Sequence, residues 1–166
     1  PIANATPTTM YISNISDTAG NVNTNTYEFT LFMDTVGHTP NWVITEIMYN
    51  PPEVGIDSLE FIEIMNNTAY TMNFKDYTLK YSTNSFTFTE DLFVDPYGYI
   101  LVAPVANKAS AFYGKTFIQG HTSGISNSGT AIVIIDPNGI TVDTVRYYTS
   151  SPWPTDANGN GYSLSL

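Results

Sequence analysis

The chain contains no cysteine, and it carries only five Lys and Arg against 15 Asp and Glu. The first absence removes disulfides, thiolate zinc sites and cysteine nucleophiles together. The second leaves no basic stripe for a phosphate backbone, so no nucleic-acid partner is expected. The net charge of −10 also disfavours anionic membrane surfaces. No apolar run reaches the ~18 residues needed to span a bilayer, and no membrane insertion is expected. Charged residues make up only 12%, and 52 Ser, Thr and Asn carry much of the solubility. Such composition is common outside the cell, so an extracellular or cell-surface location is expected. No signal peptide is visible, and the start at Pro1 suggests a mature or trimmed product. Catalytic signatures are missing too: there is no G-x-S-x-G, phosphate loop, H-E-x-x-H or dinucleotide fingerprint. His38 and His121 are too isolated for a zinc site or a proton shuttle. The chain is read as a non-enzyme.

Aromatic side chains are abundant, 12 Tyr, 9 Phe and 2 Trp making up 14% of the chain, and they suit half-buried pleated surfaces. Strands are expected near 11–15, 27–33, 42–49, 58–66, 76–81, 85–89, 98–103, 131–136, 140–148 and 161–165. Short strands broken by Pro, Gly and Asn argue for an all-β sandwich or barrel. Asp136-Pro137-Asn138-Gly139 predicts a hairpin turn, since Pro presets φ and Gly accepts positive φ. One helical turn is expected over 107–113, with Asn107 as its N-cap and Gly114 as the left-handed residue beyond it. A break at Gly37-His38-Thr39-Pro40 separates residues 1–40, read as an N-terminal β-hairpin arm or the remnant of a preceding domain, from residues 41–166.

Over 42–166 the landmarks ITEIMYNPP, EFIEIMNNT, YTLKYS, PYGYILVAP and SGISNSGTAIVIIDPNGITVDTVRYY, ending in PWP and GYSLSL, stand in a particular order. In that order and spacing the chain resembles the lamin-tail domain in its bacterial form. The resemblance implies an immunoglobulin-like β-sandwich and an accessory role, and it brings no catalytic residues with it. Such domains often run slightly past the point where Leu166 stands, so the last strand is expected to be shortened or to find its partner elsewhere. The implied function is a non-catalytic binding, adhesion or structural module of a larger bacterial secreted or cell-surface protein. Its partner would be a protein or glycan at the cell surface. The alternatives are a carbohydrate- or substrate-targeting accessory domain of a linked extracellular hydrolase and, behind it, a small acidic hydrolase using paired glutamates.

Three groups of residues are candidates for chemistry. Glu46, Glu60 and Glu63 stand among large apolar residues, Glu46 in the row Trp42, Ile44, Met48 and Glu63 in the row Leu59, Phe61, Met65. If their strands pair, Glu46 approaches Glu60 or Glu63, and two close carboxylates can share a proton, hold a cation or flank a glycosidic bond. Framework carboxylates bonded locally, or to Arg146 or a lysine, are the preferred reading. Tyr97, Tyr99, Tyr148 and Trp153 are candidates for a sugar-stacking platform, against the simpler reading that they cover the edges and end of the sandwich. Asp156, Asn158 and Asn160 match the opening of a calcium loop, D-x-N-x-N-G, with Glu53, Asp57 and Glu60 a comparable cluster. A plain turn is preferred, so no cofactor is expected beyond possible calcium. Sequons at Asn4, Asn14 and Asn66 fit N-x-S/T, as chance allows in so Asn- and Thr-rich a chain.

Overall fold

The computed structural model describes residues 7–30, 38–53 and 58–166. The sequence readings at Asn4, Asp57, 31–33 and Gly37 lie outside them. The chain divides into two compact units, Pro1–Gly37 and His38–Leu166. In the first, β1 (Pro7–Ser16) pairs antiparallel with β2 (Val22–Thr30), with an irregularity between Ile12 and Ile15. The Asp17 carboxylate ties the turn by accepting the Asn21 side-chain amide and the backbone amides of Asn21 and Ala19, and these bonds, the side-chain one first, hold its pKa below the usual value.

In the second unit, β3 (Trp42–Met48) and β4 (Phe61–Asn66) form an antiparallel pair. They are followed by β5 (Met72–Asn73), β6 (Thr78–Tyr81), β7 (Asn84–Thr87), β8 (Phe93–Val94) and β9 (Tyr99–Ala103). The helix α1 (Ala106–Tyr113) leads to β10 (Ile118–Gln119), then β11 (Ala131–Ile135), β12 (Thr141–Arg146), a 3₁₀ turn at Thr155–Ala157 and β13 (Leu164–Ser165). One sheet runs β10-β9-β4-β3-β13 and the other β12-β11-β6-β7, with β5-β8 a separate small pair. The chain is an all-β immunoglobulin-like sandwich. The core between the two sheets draws Ile44, Ile47, Ile62, Ile64, Ile100 and Val102 from one side and Leu79, Tyr81, Ile132 and Ile134 from the other. Burying each large aliphatic side chain contributes about 1.5–3 kcal/mol, so this interleaved set dominates the stability of the fold.

In the second unit the expected strands form, shortened at their ends, whereas in the first β1 is longer than the expected 11–15 and β2 already begins at Val22, five residues before the expected start. The two-residue strands β5, β8 and β10 escape sequence reading because two residues carry no periodicity. The turn at Asp136 closes as expected: the Asp136 amide donates to the Ile140 carbonyl and the Gly139 amide to the Asp136 carbonyl. Gly114 takes the left-handed conformation, φ 64°, beyond α1. The N-cap expected at Asn107 is not observed: the cap position is Val105, two residues earlier. A distant side chain does the capping, with Gln119 Oε1 accepting the Ala106 amide at 3.2 Å. A cap supplied across the fold leaves no local sequence signature.

Candidate functional site

β3 carries a bulge between Ile44 and Glu46, which inserts one residue and reverses the alternation after it. Trp42 and Ile44 face the main core, as does Ile47, while Glu46 turns to the opposite face with Met48. The expected row of Trp42, Ile44, Glu46 and Met48 is therefore wrong, and the bulge is the reason. On β4 no bulge intervenes, and Glu63 shares its face with Phe61 and Met65 as expected. The result is that Glu46 and Glu63 stand directly opposite one another across the β3–β4 ladder.

This outer sheet face is covered at one end by α1 and the segment leading into β10. Met48, Phe61, Ala103, Ala106, Ala109 and Phe117 form a second buried cluster there, with Leu101 and Tyr113 packed against it. Phe61 meets the edges of Tyr113 and Phe117, with ring centroids 5.3 and 5.6 Å apart. Where this cover ends, a groove of about 390 Å³ opens over the two carboxylates, walled by Met48, Phe61, Leu101, Tyr113 and Phe117 and bordered by Lys115 and Ser163. Each carboxylate uses one oxygen on its own framework. Thr45 Oγ1 donates to Glu63 Oε1 at 2.7 Å, and Ser163 Oγ donates to Glu46 Oε1. The second oxygen of each accepts no hydrogen bond among the described residues, and the ion pair found among them is Lys75–Asp91, elsewhere on the surface. Tyr113 donates its hydroxyl to the Leu59 carbonyl at 3.1 Å. Burial first, then the charges of Glu53 and Glu46, push its pKa up, so it stays a neutral donor.

Glu60 is not part of this pair. It lies on the core side of the sheet, 1% exposed, where Oε2 accepts the Ile125 amide at 2.8 Å. Tyr81 donates to the carbonyls of His121 and Ser123, and Tyr147 to that of Ser126. Three core side chains thus pin the 121–126 segment. Burial raises the pKa of Tyr81 to about 12, aided by the Glu60 charge, and raises that of Tyr147 for the same two reasons. Glu53 is likewise a local clamp, accepting Ser58 Oγ and the Leu59 amide.

The other candidates are scattered. Tyr97 and Tyr99 are exposed at the start of β9, and Tyr148 is exposed just after β12, on the other sheet. Trp153 is partly buried against the main core. Asn158 Oδ1 accepts Asn50 Nδ2 at 2.6 Å and the Gly159 amide donates to the Asn50 carbonyl, so this turn buttresses the loop after β3; Asp156 and Asn160 are exposed beside it. Asn66, one of the three sequon asparagines, is 0% exposed, and its amide donates to the carbonyls of Tyr70, Val94 and Asp95. Sequence reading missed the aromatic and aliphatic wall of the groove, because Phe61, Leu101 and Phe117 come together only through the sheet order and the crossover by α1.

The family model for the lamin tail domain matches residues 36–149, well over half of the chain. No curated protein matches it.

Proposed function

The chain belongs to the lamin tail domain family, and from that premise we propose that it is a non-catalytic binding module of a larger bacterial secreted or cell-surface protein, docking a partner in the groove on its outer sheet face. The observation that carries this reading is the half-covered sheet face, where apolar walls surround two carboxylates. A volume of about 390 Å³ lies within the ~300–1,000 Å³ typical of ligand sites. Each carboxylate holds a framework hydroxyl and Tyr113 holds a framework carbonyl, an arrangement that supports recognition over acid–base chemistry. The exposure of both Tyr97 and Tyr99 near the start of β9 favours a second reading, a glycan-stacking surface serving a linked hydrolase.

Binding of the fluorescently labelled chain to cells and wall polysaccharide of its source separates the two. Lys115 is exposed at the groove mouth, so Lys115→Trp blocks it without disturbing the core. We expect this variant to weaken binding by about tenfold, equivalent to ~1.4 kcal/mol, and Tyr97→Ala with Tyr99→Ala to leave it unchanged. Binding lost with the tyrosines and kept with Lys115→Trp would replace groove docking by glycan stacking.

A further inference from the structure

We infer that the groove accepts a single basic side chain of a partner protein, arginine by preference, its aliphatic stem against Leu101 and Met48 and its cationic head between Glu46 and Glu63. This rests on reading the groove as the docking surface, and adds the chemistry of its occupant. Two like charges directly opposite across an antiparallel pair are destabilising, and the bulge in β3 creates this juxtaposition by turning Glu46 outward. Thr45 and Ser163 satisfy one oxygen of each carboxylate. They supply no positive charge, so a cation seated between the two acids would offset their like charge.

The lining decides which kind of cation. Phe61, Tyr113, Phe117, Met48 and Leu101 surround the acids, whereas a hard metal ion seeks several converging oxygens. Among the described residues no group of three or more His, Asp or Glu could hold a metal ion. An apolar wall with an acidic floor is instead complementary to a side chain that buries its methylene stem and presents a charged tip. The guanidinium adds a planar fork of donors able to bridge two carboxylates and to lie on an aromatic ring. Lys115, at the rim, forms no ion pair with either carboxylate among the described residues and tunes the site as a competing positive charge.

The test is a titration of the isotopically labelled 166-residue chain, followed by amide chemical shifts, with three blocked single amino acids: N-acetyl-arginine methylamide, its lysine counterpart and the uncharged norleucine counterpart. Calcium chloride serves as a fourth arm. We expect saturable shifts confined to residues around 46, 63, 101 and 115 with the arginine probe, weaker ones with lysine and none with norleucine. Glu46→Gln with Glu63→Gln should abolish them, and Lys115→Gln should tighten binding several-fold. Equal response to norleucine and arginine would overturn the cation inference and leave the groove as a docking surface. Shifts with calcium and none with the organic probes would overturn it in favour of a metal site. No localised shifts with any probe would overturn it and remove the support for groove docking as well.

Discussion

The carboxylate of Asp143 on β12 accepts the backbone amide of Ile44 on β3 at 2.8 Å, joining an edge strand of one sheet to an inner strand of the other. Ile44 is the residue at which β3 breaks register, and a bulge leaves a backbone donor that the ladder no longer serves. Asp143 supplies the acceptor. Asp143→Ala should therefore destabilise the chain by about 1–3 kcal/mol in urea denaturation, the cost of a buried unsatisfied amide. Asp143→Asn, which keeps an oxygen there, should lose less. A change within about 0.5 kcal/mol for the alanine variant, as at an ordinary surface site, would mean the bulge does not depend on this bond.

Gly129 has φ +87°, and a Cβ there would stand 2.7 Å from the Tyr147 carbonyl oxygen. Gly139 has φ +83° with nothing within 4 Å, so it is the matched control. Gly139→Ala should cost about 1–2 kcal/mol for the left-handed backbone alone. Gly129→Ala should cost clearly more, read as the difference in urea midpoint. Equal losses would show that the backbone approach at Tyr147 is not close.

Alkaline pH should unfold the chain through two tyrosines. Tyr81 has its pKa raised to about 12, and Tyr147 is raised too, each by burial first and then by Glu60. Above the unfolded pKa of about 10 the unfolded chain has lost these protons while the folded chain keeps them. Stability contributed by the raised values is thus complete below pH ~10 and lost as pH climbs toward 12 and beyond, at up to ~1.4 kcal/mol per unit for each group. Tyr81→Phe and Tyr147→Phe should each flatten that fall in a melting series from pH 9 to 12. An unchanged slope in both variants would contradict the assignment.

Calcium should leave stability untouched at residues 156–160. Asn158 spends its carbonyl oxygen on Asn50, so the middle ligand of the set that the spacing suggests is already committed to holding a loop. Melting temperatures with excess calcium and with chelator should agree; a rise with calcium that Asp156→Asn removes would restore the metal reading.

How much of this was legible beforehand depends on the length scale of each signal. The alternation through Phe61–Asn66 and the Asp136–Gly139 turn are local, and both elements form where the sequence places them. The pairing of β3 with β4 was also readable, since two apolar runs flank a Pro-Pro loop. The bulge was not: one inserted residue at Thr45 leaves the composition of the run unchanged and inverts everything after it. Glu46 was therefore assigned to the wrong face. Glu60 and Glu63 look equivalent in sequence, yet their offset of three residues places one in the core and one over the groove. Capping by Gln119 and burial of Asn66 depend on contacts made by distant segments, which no local pattern encodes.

The most direct measurement is a double-mutant cycle on Glu46→Gln and Glu63→Gln, with unfolding free energies taken at low and high salt. Glutamine keeps the oxygen that accepts from Ser163 or Thr45, so each change removes mainly charge. If the carboxylates face each other on the open sheet face, either variant relieves the same repulsion of about 0.2–1 kcal/mol. The double variant then gains no more than a single one, and the coupling fades at ~1 M salt, where the screening length falls to about 3 Å. Additive effects at every ionic strength would contradict the bulge, the facing pair and the groove built on them.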